Sequence, residues 1–175
     1  QLSTMADEES NTALKRLPRE WRMVQKKGVA GVEFALTKNE DGSDNYLVWT
    51  LTVTGPEKYT VGTDIRDCPY AGAKFPVTIV FPSTYPFKHP EMTFKSGLLY
   101  HPNVASEDGS ICADMITKAF GPTKNVTHLA ELIVGFMATP NLESPLEEEI
   151  ANEMTTDIAK YERQAAEMAR GAKKQ

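Results

Sequence analysis

The chain has 175 residues, 41% of them apolar and 25% charged, with a formal net charge of -5. That length suits one domain around one ordinary hydrophobic core, and the composition is that of a globular protein, neither disordered nor fibrous. The acidic balance argues against a general nucleic-acid binder, and no apolar run approaches the roughly 20 residues that cross a bilayer.

No charged start followed by an apolar core and a small-residue cleavage site is visible, so the expected location is cytoplasmic and/or nuclear. Two cysteines, Cys68 and Cys112, are too few for a disulfide scaffold and are expected as reduced thiols. Residues 1–12 are polar and acidic without apolar periodicity and are expected to form a flexible tail, in which Gln1 to Thr4, ahead of Met5, are compatible with an expression scar. LPREWRMVQKKG then predicts a helix over 18–27, with Pro18 at its first position, Trp21 and Val24 on one face and Gly28 at its end. Extending it back through ALKR would put Pro18 inside the helix, at a cost of about 3 kcal/mol.

Val32, Phe34 and Leu36 alternate with other residues, and Asp41-Gly42 and Asp44-Asn45 supply a turn. Leu47, Trp49, Leu51 and Val53 alternate again, as do Phe75, Val77, Ile79 and Phe81, and a short fourth strand is expected around Met92 and Phe94. Consecutive alternating strands predict an antiparallel meander with one buried face. From about 97 to 124 no period is sustained, and an irregular stretch of that length inside a domain is usually functional. A helical period follows in Leu129, Leu132, Ile133, Phe136 and Met137, with Thr127 as the expected N-cap. A further helix is expected from Ser144, with Pro145 at its first position and Glu147 completing a capping box. Its apolar stripe runs from Ile150 to Met168 with an interruption near Thr155-Thr156-Asp157, and the basic GAKKQ end reads as frayed. The expected architecture is α+β: a core domain over 13–170 and a basic tail over 171–175, with helices packed on one sheet.

The irregular segment reads YHPNVASEDGSICADMITKAFGP. His101-Pro102-Asn103 followed by Gly109-Ser110-Ile111-Cys112 resembles the active-site signature of ubiquitin-conjugating enzymes. Gly55-Pro56, Pro69-Tyr70, Gly72, FPSTYPFKHP, Phe120 to Pro122, Pro140-Asn141 and Ser144-Pro145-Leu146 match the family pattern in the same order. The resemblance implies an N-terminal helix, a four-stranded meander, an active-site loop and C-terminal helices. It also implies an acyl carrier whose Cys112 takes ubiquitin as a thioester from an activating enzyme and passes it to a substrate lysine or a ligase cysteine. ATP would be used upstream, with no cofactor or metal bound here.

A thiol near pKa 8.5 is only a few per cent thiolate at neutral pH, yet thioester exchange needs little beyond an exposed sulfur and room for the acyl tail. Asn103 could donate to the developing oxyanion, or brace the loop through backbone hydrogen bonds. Asp114 matches a position where the family often carries an acid, which could orient an attacking lysine and accept its proton. Ser144 occupies a gate position that is Asp in many members, and its role as a helix cap is favoured over direct catalysis. His101 is expected to brace the loop rather than act as a base.

Phe87 and Pro122 match the paired loops that dock RING and HECT ligases, and Lys15 and Arg16, with Arg19 and Arg22, the basic surface of the first helix. The spacing of His89, His101, Cys112 and His128 fits no usual zinc pattern. Three departures stand out: nine positions from Asn103 to Cys112, one more than is commonest; twelve residues between Pro56 and Pro69 where about three are typical; and Phe120 in place of a tryptophan. A carrier of a ubiquitin-like modifier, or a non-catalytic variant serving as a partner, are the alternative readings; variants of that kind lose both the cysteine and the His-Pro-Asn triplet.

Overall fold

The computed structural model describes residues 11–174. The chain begins in helix α1 (Thr12–Lys27), passes through β1 (Val32–Lys38) and β2 (Asp44–Thr54), and then makes a small hairpin of β3 (Lys58–Val61) and β4 (Asp64–Asp67). Strands β5 (Lys74–Val80) and β6 (Glu91–Phe94) follow, then helices α2 (Ala113–Ala119), α3 (Val126–Ala138), α4 (Glu148–Thr156) and α5 (Ile158–Met168), with a 3-10 turn at Ala169–Gly171. None of the described helices is long and apolar enough to cross a membrane.

The four expected strands form one antiparallel sheet in the order β1-β2-β5-β6. Its register explains the alternation. Leu36, Trp49, Ile79 and Met92 lie in one row across the strands, and Phe34, Leu51, Val77 and Phe94 in the next. A side-chain period of two therefore puts these eight residues on one face. Helix α1 packs on β2, where the Trp21 and Trp49 rings meet edge to face with centroids 5.2 Å apart. Helix α3 carries the core's centre, with Leu129, Ala130, Ile133, Phe136 and Met137 all buried.

Several element boundaries differ from the sequence expectation. Helix α1 starts at Thr12, so Pro18 lies inside it. The missing hydrogen bond and ring crowding are offset by ties that hold the first turn. Asn11 caps it by accepting from the Leu14 N–H at 3.0 Å, the Thr12 hydroxyl donates to the Tyr85 carbonyl at 2.8 Å, and Ala13 and Leu17 are buried. Asn11 and Thr12 thus belong to the helix, while the rest of the expected tail lies outside the described residues.

The N-cap of α3 is Asn125, in a reciprocal capping box with His128, rather than Thr127. Helix α4 starts at Glu148, so Ser144 is not its cap. The Glu147 carboxylate instead accepts the Ser106 N–H at 2.6 Å. The expected interruption near 155–157 is present, where Asp157 ends α4 and caps α5. The final segment is docked rather than frayed as far as Ala172, which is buried and accepts the Lys74 N–H at 3.0 Å.

The twelve-residue insertion is the β3-β4 hairpin, turning at Gly62, whose φ is +61°. It is fastened to α5. Tyr59 is buried against Tyr161, its hydroxyl donates to Glu162 at 2.9 Å, and Arg66 donates to the same carboxylate at 2.7 and 3.2 Å. The Arg66 guanidinium holds the Glu162 carboxyl below its ordinary pKa.

Candidate active site

Cys112 sits at the junction of two constraints. Ahead of it, the segment from Val104 to Ile111 folds back on itself and on the sheet edge. Val104 bridges Ile111, Ser110 bridges Thr93, and the Phe94 N–H donates to the Gly109 carbonyl at 2.8 Å. Gly109 is required by geometry: its φ is +78°, and a Cβ there would stand 2.0 Å from the Phe94 carbonyl oxygen. Behind it, Cys112 occupies the N-cap position of α2, where its carbonyl accepts the Met115 N–H at 3.1 Å. The α2 helix itself lies in the stretch where the sequence showed no period.

The Cys112 side chain is half-buried at a cavity of about 290 Å³. Asp114, Asn141 and Ser144, all exposed, provide the polar part of the lining. Met115, Ala119 and Leu132 provide an apolar wall, and Lys118 completes it. Asp114 and Ser144 are thus brought to the cysteine as expected. Lys118 and Met115 were not legible as site residues, although the i, i+4 spacing of Asp114 and Lys118 is a helical signal. Leu132 was read as core. Cys68 provides the contrast: it is buried, and burial pushes its thiol up to about 11.

His101 and Asn103 do not line the cavity; they lie fully buried beneath it. One His101 ring nitrogen, Nδ1, accepts the Asn103 N–H at 3.0 Å, which leaves Nε2–H to donate to the Phe136 carbonyl at 3.0 Å. Burial drives this imidazole down to about 4, partly opposed by the Phe136 bond. With both nitrogens engaged it braces the loop, and it has no position as a catalytic base.

The Asn103 side chain clamps one peptide unit on each side. Its Nδ2 donates to the Asn141 carbonyl at 2.8 Å, and its Oδ1 accepts the Asn141 N–H at 2.9 Å. Of the two roles open to Asn103, the structure therefore displays the brace. Its backbone carbonyl also accepts the Cys112 N–H at 3.3 Å, so the same residue holds both walls of the cavity. Asn141 passes this order on, its side chain accepting the N–H of Glu143 at 3.0 Å and of Ser144 at 3.4 Å. The Pro102 carbonyl accepts from Leu146 and Glu147 at 2.8 and 3.0 Å, completing the stitch between the two loops.

The residues expected to dock a ligase lie on α1 and on the loops that carry Phe87 and Pro122. Phe87 is 73% exposed, and Pro122, Lys15, Arg19 and Arg22 are exposed. Arg16 differs from them. Its guanidinium donates to Glu20 and to the carbonyls of Pro122 and Lys124, and it lies 5.5 Å from the centre of the Tyr85 ring. Arg16 is a strut joining helix and loop rather than a free basic group. Glu20, buried and not foreseen, also accepts from the Tyr85 hydroxyl and from the Val126 N–H at 2.9 Å. Phe120 stacks on Tyr85 with centroids 5.6 Å apart, so the ring that replaces the usual tryptophan keeps the packing between the two loops.

The family profile described as "Ubiquitin-conjugating enzyme" matches residues 16–169. Among solved structures, the chain is similar to a Plasmodium yoelii protein proposed to be a ubiquitin conjugating enzyme. The match covers 93% of this chain and 96% of that one with a TM-score of 0.76, and at 23% identity it speaks for the fold. The fold is therefore that of the ubiquitin-conjugating core, and in this chain the β3-β4 hairpin stands ahead of β5. A profile match that runs from α1 to the 3-10 turn after α5, and includes the cysteine loop, settles the assignment: the chain belongs to the ubiquitin-conjugating enzyme family.

Proposed function

We propose that this chain is a catalytically active carrier of ubiquitin. The observation that carries this reading is the half-buried Cys112 sulfur at a cavity lined by Asp114 and Ser144, with the His101-Pro102-Asn103 brace intact beneath it. In the first step the Cys112 thiolate attacks the carbonyl carbon of the thioester on an activating enzyme. A new C–S bond forms, the old one breaks, and the activating enzyme's sulfur leaves as thiolate. ATP is consumed upstream, and no metal or organic cofactor takes part in either step.

In the second step a substrate lysine, as the neutral amine, attacks the thioester carbonyl. A ligase cysteine of the HECT kind follows the same course. Cys112 leaves as thiolate, while Asp114 at the rim orients the incoming amine and accepts its proton. The apolar wall of Met115, Ala119 and Leu132 disfavours a charged amine close to the thioester. Ser144 brings no second charge, so Asp114 is the acidic group at this gate. Exposed Phe87, Pro122 and Lys15 form the docking surface for a RING or HECT ligase, and Arg16 ties helix α1 to the Pro122 loop of that surface.

The test is a charging reaction with activating enzyme, ATP and ubiquitin, resolved on a non-reducing gel. A ubiquitin-sized upshift that thiol removes, and that Cys112→Ala lacks, is the expected result. Charging only with a ubiquitin-like modifier and its own activating enzyme would reassign the cargo. No charging with any modifier would sink the carrier reading and leave a non-catalytic partner.

A further inference from the structure

We propose that the groove between the β3-β4 hairpin and helices α4 and α5 is an acceptor-side subsite. It seats an aliphatic side chain of a basic substrate segment while that segment's lysine enters the Cys112 cavity; this rests on the carrier reading above. The groove has a volume of about 410 Å³. Val61, Leu142, Met154 and Ile158 give it an apolar lining, to which Asp64 and Thr155 add exposed polar groups.

One short loop separates this groove from the thiol. Asn141 and Ser144 line the Cys112 cavity, and Leu142, between them in sequence, lines the groove. Two to four extended residues span about 7–14 Å, so a segment crossing the loop can put a lysine in the cavity and a neighbouring side chain in the groove. The walls are fixed before anything binds. Asn103 holds the backbone of Asn141, Met154 is buried, and Arg66 is anchored to the Glu162 carboxylate. A formed apolar hollow with a few polar groups orders little on binding, which favours its use as a recognition site.

Charge selects the occupant. Residues 57–67 and 140–163, which supply every wall of the groove, carry ten acidic and four basic side chains, while the acidic excess of the whole chain is only five. Three of those bases are committed, Arg66 to Glu162, Lys58 to Asp67 and Lys160 to Glu153. Asp64 takes part in none of the ion pairs among the described residues. A basic segment is therefore drawn to this face and an acidic one repelled. The groove acts on which lysine is presented and leaves the transfer chemistry alone, so its contribution falls on KM rather than kcat.

The chain is charged with ubiquitin, ATP is removed, and discharge is followed by mass spectrometry. The acceptors are acetylated peptides with one lysine, two arginines and a single leucine moved from four positions before the lysine to four after it. One placement of leucine should be modified about tenfold faster than the same peptide with serine there. Glutamates in place of the arginines should remove that advantage. Val61→Ser and Asp64→Lys should each raise KM for the favoured peptide several-fold, with kcat, charging and discharge to free lysine unchanged. Ile65→Ser, at a residue 75% exposed on the same hairpin but outside the groove, should change nothing. Equal rates for every leucine placement, a preference for the acidic peptides, or an unchanged KM in both groove variants would overturn the subsite and leave the carrier role standing. Slower discharge to free lysine in those variants would overturn it as well, by making the hairpin a brace of the active site. Failure to charge at all would remove the carrier reading and the subsite together.

Discussion

Asn103 shows how much one side chain can hold at this site. Both ends of its amide are used on the backbone of Asn141, and its own carbonyl holds the Cys112 N–H. Asn103→Ala removes both side-chain bonds from a buried position, which should cost about 1–3 kcal/mol in urea denaturation. Lysine discharge should slow more than charging, because the Asn141 wall with Ser144 drifts while Cys112 stays in place. An unchanged denaturation midpoint alongside slow discharge would instead put the amide on the oxyanion. At this scale the sequence was a good guide to which residues meet around Cys112 and a poor one to what each does there. Motif spacing marked Cys112, Asn103, Asp114 and His101, but no linear pattern tells a clamp from a donor. Ser144 was misread as a cap because Ser-Pro-Leu-Glu has the pattern of a helix start, whereas the Leu146 and Glu147 N–H groups are taken by the Pro102 carbonyl.

Among elements, the loop from Val104 to Ile111 depends on a single close approach. Gly109→Ala would set a methyl group 2.0 Å from the Phe94 carbonyl oxygen, with φ at +78°. Gly42→Ala is the matched control, since its φ is +83° and nothing lies within 4 Å of the added carbon. Each variant pays about 1–3 kcal/mol for the left-handed backbone. Only Gly109→Ala should lose more than that in thermal denaturation and lose Cys112 charging as well; equal losses would show that the loop tolerates the clash.

The four sheet strands were legible because the period of two is enforced by one buried face. The β3-β4 hairpin was not, since its strands are four residues long and its hold on the domain comes from Tyr59 and Arg66 meeting Glu162, some hundred positions away. The first turns of α1 escaped for a similar reason: local chemistry argues against Pro18 inside a helix, and the ties from Thr12 and Ala13 to the 83–85 loop outweigh it. Tertiary contacts override propensity in both cases.

For the whole molecule, His101 ties global stability to pH. Its folded value of about 4 lies below its ordinary 6.5 because the neutral ring is buried. Between those values the unfolded chain binds a proton that the folded chain does not, so stability rises with pH across this window. This contribution is fully present above about 6.5 and is lost as pH falls toward 4, an effect of about 3 kcal/mol in all. Urea denaturation from pH 4 to 7 should show that acid limb, and His101→Gln should flatten it by about one proton. Identical slopes in the two proteins would assign the limb to other groups.

The sheet order leaves β6 on an outer edge, and the bridges from Ser110 and Gly109 to Thr93 and Phe94 cover it. The segment that presents the thiol is thus also the sheathing that keeps an edge strand from pairing with another chain. Damage that frees this segment would bare the edge of β6 as well as displace Cys112, so protection against aggregation and the placing of the thiol depend on the same few residues.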